Sequence, residues 1–109
     1  MHAERRFEIL DADVVIGTTA FESGDSPMGV AYGSFEPTSA YRLEHASPDS
    51  GLVARIEGQL IPSAGGVGID DLFEEIGERQ VTIFGIDHAL YAKLFPEHVA
   101  AYEALYPPA

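Results

Sequence analysis

Strand-forming and helix-forming stretches are segregated in this chain, strands in front and helices behind, and no other feature narrows the fold so far. Arg6-Phe7-Glu8-Ile9-Leu10 alternates, Asp11-Ala12-Asp13 supplies turn chemistry, and Val14 to Phe21 is β-branched and aromatic. That order predicts an N-terminal β-hairpin. Ser23-Gly24-Asp25-Ser26-Pro27 is a cluster of turn formers. From Met28 to Phe35, small residues (Gly29, Ala31, Gly33) alternate with larger ones. This predicts a third strand whose small face is closely covered. Pro37 is placed to open a short helix through Tyr41 and Leu43 to His45, and Ser47 to Gly51 is a loop. Leu52 to Ile61 reads as a strand, because Gly58 argues against the helical alternative.

The back of the chain changes period. Ile69, Leu72, Phe73 and Ile76 recur at helical spacing, Asp70, Asp71, Glu74 and Glu75 fall opposite them, and Gly77 stands where a helix would end. The spacing predicts a two-turn helix that docks its apolar face. Gln80 to Ile86 returns to strand composition. Asp87 can cap a helix carrying Leu90, Tyr91 and Leu94, which Pro96 breaks or restarts. Val99, Tyr102, Leu105 and Tyr106 continue the stripe to Pro107-Pro108. The expected fold is α+β, an antiparallel sheet or half-open barrel of about five strands with short helices, including a C-terminal helical segment, packed on one side.

With 109 residues, 46% of them apolar, the sequence fits one domain spanning 1–109 with a self-supporting core. It holds no cysteine, which excludes disulfides, thiolate metal sites and a cysteine nucleophile. No apolar stretch follows Arg5-Arg6, and no apolar run approaches the ~20 residues that span a bilayer, so a soluble cytoplasmic protein is expected. Eighteen acids face six bases, a net charge of −12. The acidity is distributed, with nine acids in residues 1–55 and nine in 56–109. Such a field repels phosphates, so neither nucleic acid nor an anionic membrane is an expected partner, while a basic protein, a cation or mere solubility would each fit.

Gly24-Asp25-Ser26 resembles the letters around the nucleophilic serine of GDSL-type esterases and trypsin-like proteases. The following Pro27-Met28 matches neither pattern, and no histidine spacing ties a base to Ser26. A turn is the expected role. Three histidines follow an acid directly: Glu44-His45, Asp87-His88 and Glu97-His98. Residues adjacent in sequence point in different directions on a helix or a strand. His45, His88 and His98 are therefore metal or acid-base candidates only if the fold gathers them. Gly65-Gly66-Val67-Gly68 lacks a following lysine and runs into two aspartates, so it reads as a flexible connection, with no phosphate loop and no cofactor expected.

The densest acidic patch, Asp70, Asp71, Glu74, Glu75 and Glu78, reads by default as a solvated helix face and otherwise as the candidate surface for a basic partner. Three functions follow: an acidic inhibitor-like or accessory binding module, a small enzyme using histidine–carboxylate pairs, and a self-associating domain. The last would use the Gly29, Ala31, Gly33 face or the tyrosines 91, 102 and 106.

Overall fold

Hairpins build the molecule. The computed structural model describes residues 5–106. β1 (Phe7–Asp11) and β2 (Val14–Thr19) form the expected N-terminal hairpin, with Phe7 opposite Thr19 and Asp11 opposite Val14. β6 (Val53–Ile56) pairs with β1, and β7 (Gln59–Leu60) folds back on β6. Glu57 and Gly58 make that reversal with φ of 50° and 78°, the left-handed pair whose twist suits a two-residue hairpin turn. The stretch 52–61 is therefore a hairpin, where the sequence predicts one strand. β5 (Glu36–Pro37) closes the other edge, giving the order β5-β2-β1-β6-β7.

A second antiparallel sheet faces the first. It contains β3 (Ser23–Asp25), β4 (Val30–Ser34), β8 (Gly66–Leu72) and β9 (Glu78–Phe84), in the order β3-β4-β9-β8. Phe7, Ile9 and Ile16 from one sheet meet Ala31, Ile69, Val81 and Ile83 from the other in a single core. The fold is α+β as expected, with more strands than the predicted five and no closure into a barrel. The Phe35 ring lies so close over β2 that a Cβ at Gly17 would stand 2.2 Å from it. The small-residue face of β4 is covered as predicted, since Ala31 and Gly33 are buried.

α2 (His88–Leu94) and α3 (Pro96–Leu105) pack against the β3 side. The Asp87 carboxylate accepts from the Ala89 and Leu90 amides, the expected cap, and Pro96 restarts the helix at a position where its missing N–H costs nothing. The Tyr91 hydroxyl donates to the Val30 carbonyl at 2.8 Å and fastens α2 to β4. Phe95 stacks on Phe7 with centroids 5.4 Å apart, and Phe21 meets Phe7 edge-on at 5.1 Å. No helix of the described residues is long and apolar enough to cross a membrane.

Four local expectations are corrected. Residues 69–76 are not a two-turn helix: Gly66–Leu72 is strand β8, followed by the single turn α1 (Phe73–Ile76). The glycines at 66 and 68 are part of that strand, not of a flexible connection. Pro37 ends a short strand, and only a 3-10 turn at Leu43–Ala46 is helical before the loop. Ser23–Asp25 pairs with β4, and the turn proper is the 3-10 segment Ser26–Met28.

Candidate functional site

The β8–β9 hairpin pairs in unbroken register from Gly66 opposite Phe84 to Leu72 opposite Glu78. Side chains alternate across a strand, so Ile69 turns into the core while Asp70 turns to solvent. Asp71 follows Ile69 inward and lies directly opposite Arg79. The guanidinium Nε donates to Asp71 Oδ2 at 3.0 Å, with 8% of the Asp71 side chain and 22% of the Arg79 side chain exposed. Tyr41 donates its hydroxyl to the same oxygen at 2.7 Å, and Asp71 Oδ1 accepts the Phe73 amide at 3.1 Å. Arg79 is also held over two rings, 4.3 Å from the Phe73 centroid and 5.4 Å from that of Tyr41.

Both shifts in this network have local causes. Hydrogen bonds from Tyr41, the Phe73 amide and Arg79 hold the Asp71 carboxyl below its ordinary range despite its burial, the Tyr41 hydroxyl first among them. Burial pushes Tyr41 up to about 12, with the adjacent Asp71 charge adding to it. One carboxylate thus neutralises the arginine, anchors Tyr41 and ties down the hairpin tip. The tip itself closes when the Gly77 amide donates to the Phe73 carbonyl at 2.8 Å, with Gly77 left-handed at φ 74°. This is the glycine turn predicted for residue 77, here within a hairpin loop.

Outside that anchor, the tip is apolar and exposed. Leu72 turns to the outer face with Asp70 and is 46% exposed, Phe73 is 52% and Ile76 61% exposed, and across the cleft from Phe73, Leu43 stands 73% exposed on its 3-10 turn. Leu43 and Tyr41 on one side, and Phe73, Glu74 and Glu75 on the other, line a cleft of 480 Å³ floored by Asp71 and Arg79. Segment 66–84 carries five acids and one base, and that base is committed to Asp71. Asp70, Glu74, Glu75 and Glu78 remain exposed, Glu74 and Glu75 at the rim of the cleft and Asp70 on the outer face of β8.

Of the five acids read as one partner-binding face, Asp70, Glu74, Glu75 and Glu78 are exposed, with Glu74 and Glu75 lining the cleft and Asp70 on the other face of β8. Asp71 is the correction, because its side chain serves the fold. The histidines are not gathered, and none is bound to the acid before it in sequence. His45 accepts the Arg42 amide on Nδ1 at 2.9 Å, so its Nε2 carries the proton and donates to Asp11 at 3.0 Å. His98 stacks on Phe95 at 4.8 Å with Nδ1 3.0 Å from the Tyr91 hydroxyl, and His88 opens α2 in solvent. Among the described residues no three His, Asp or Glu side chains assemble to hold a metal ion. Ser26 is buried in its turn.

Sequence reasoning missed Tyr41, Leu43 and Arg79, and assigned Leu72, Phe73 and Ile76 to a buried face. Arg79 carried a usable signal, being one of two bases in residues 56–109. Leu43 carried none. A second exposed apolar surface occupies the end of α3, where the Tyr102 and Tyr106 rings meet at a tilt, centroids 4.9 Å apart, and Leu105 is exposed. Comparison with known protein families, with curated proteins and with solved structures found no match.

Proposed function

We propose that this chain is a small acidic protein-binding module of the inhibitor or accessory type, acting in the cytoplasm, which engages a basic protein through the tip of the β8–β9 hairpin. One observation carries the reading: Leu43 and Phe73 stand exposed across one cleft rimmed by Glu74 and Glu75, with Ile76 exposed in the same turn as Phe73. Grouped large apolar side chains with a polar rim mark interaction surfaces, whereas scattered ones do not. Fully burying such a side chain is worth about 1.5–3 kcal/mol. With at least half of each still exposed, Leu43, Phe73 and Ile76 hold about 3 kcal/mol of gross burial free energy that a partner can draw on.

The acids add selectivity. They raise the encounter rate with a basic surface and penalise an acidic one, an effect that salt screens. The test is capture from an extract of the source cells on the immobilised protein. A basic protein should be retained at about 50 mM salt, released near 500 mM, and lost from the Phe73→Asp/Ile76→Asp variant. Retention indifferent to both salt and the double substitution sinks the proposal.

A further inference from the structure

We infer that the cleft between Leu43 and the hairpin tip takes a basic amphipathic segment of the partner, with an aliphatic side chain seated between Leu43 and Phe73 and a lysine or arginine reaching Glu74 and Glu75. This rests on the protein-binding reading above and specifies its occupant.

The cleft has two kinds of wall. Leu43 and Phe73 give it apolar sides, and Glu74 and Glu75 give it an acidic rim. Its 480 Å³ lies within the range, about 300–1,000 Å³, that encloses a group of modest size. The floor already holds a cation. Arg79 lies between the Phe73 and Tyr41 rings with Asp71 as its counter-ion. An incoming cation therefore has no place on Asp71, and the glutamates of the rim are what it meets. Its methylene stem can lie along the apolar wall while the charge stays at the wet edge.

Charge decides between occupants. A second copy docking here by two-fold symmetry would set Glu74 and Glu75 against their own counterparts. Both copies carry −12, and anionic lipid or nucleic acid is repelled by the same field. A segment with basic and aliphatic residues on one face satisfies both walls together.

The chain contains no tryptophan, so the emission of a peptide bearing one tryptophan reports the peptide alone. Three helical peptides of equal length serve as probes: leucine with lysine, leucine with glutamate, and lysine with serine. The leucine–lysine peptide should bind saturably, the lysine–serine peptide more weakly, and the leucine–glutamate peptide not at all. Glu74→Gln/Glu75→Gln should weaken the leucine–lysine complex about threefold to tenfold. Leu43→Ser, at a position already in solvent, should weaken it as well. Glu57→Gln/Glu103→Gln removes the same charge elsewhere and should leave it unchanged.

Equal weakening by the two double variants overturns the inference, because affinity would then follow total charge rather than the cleft. Binding of the leucine–glutamate peptide overturns it too. If the leucine–lysine peptide fails while a cellular partner still depends on Phe73 and Ile76, this occupant falls and the binding-module reading stands. If both fail, both fall.

Discussion

Replacing Asp70 and Asp71 one at a time by alanine separates two acids that are neighbours in sequence and opposites in structure. Asp70 is exposed on the outer face of β8, and Asp71 holds Arg79, Tyr41 and the Phe73 amide on the inner face. Removing one partner of a buried ion pair costs about 3–5 kcal/mol. Arg79 keeps 22% of its side chain in solvent and two rings against it, so about 2 kcal/mol is the appropriate share here. The Tyr41 hydroxyl, left without its acceptor, adds about 1 kcal/mol. The sum, about 3 kcal/mol, corresponds to a fall of about 12–24 °C in melting temperature for a domain of this size. Asp70→Ala should stay within about 0.5 kcal/mol of wild type. Urea unfolding followed by far-ultraviolet circular dichroism measures both.

Acid supplies a second reading of the same group. The folded-state pKa of Asp71 is lowered. Its contribution is therefore complete above the unfolded value of about 3.9 and disappears as pH falls through the folded one. The advantage of wild type over Asp71→Asn should be full at pH 7 and vanish in strong acid. Equal cost for Asp70→Ala and Asp71→Ala, or a near-neutral Asp71→Ala, refutes the network as described.

Alkaline titration should find two of the five tyrosines ionising only near 12, Tyr41 and Tyr91, both raised chiefly by burial. Because the folded state keeps those protons longer than the unfolded chain does, stability should be complete below about pH 10 and fall between about 10 and 12. Gly17→Ala places a methyl 2.2 Å from the Phe35 ring and 2.8 Å from the Glu36 carbonyl, and should cost about 1–3 kcal/mol in chemical denaturation. Trimming Phe35 to leucine in that background should recover part of the loss, and strict additivity would contradict the contact. Asp87→Ala should cost about 1 kcal/mol by the same assay, the usual value of a helix cap.

How much of this was legible in the sequence depends on which force fixed each element. The first hairpin was, because β-branched alternation and a turn cluster agree there. The Asp87 cap and the Pro96 restart were, because each has a local mechanism. The β8 strand was hidden by Asp71. A strand buried on one face should repeat apolar residues at every second position, as Val67 and Ile69 begin to do, and the next inward slot holds a carboxylate. Leu72, Phe73 and Ile76 then complete a helical period by coincidence of strand end and loop. The missing information was Arg79, which makes a buried aspartate tolerable and lies across the hairpin from it. That pairing is a property of register, which local spacing does not encode. The corner surface was illegible for the related reason that apolar residues at helical spacing are ordinarily buried, and only the fold leaves these in solvent.

The most direct test of the account is the affinity of a purified cellular partner, measured by calorimetry, for wild type and two double variants. Phe73→Asp/Ile76→Asp should weaken the dissociation constant at least about thirtyfold, the effect of losing one interface hot spot. Tyr102→Asp/Leu105→Asp, at the other exposed apolar surface, should leave it within about twofold. The reverse pattern would place the contact on α3 and contradict the hairpin-tip account.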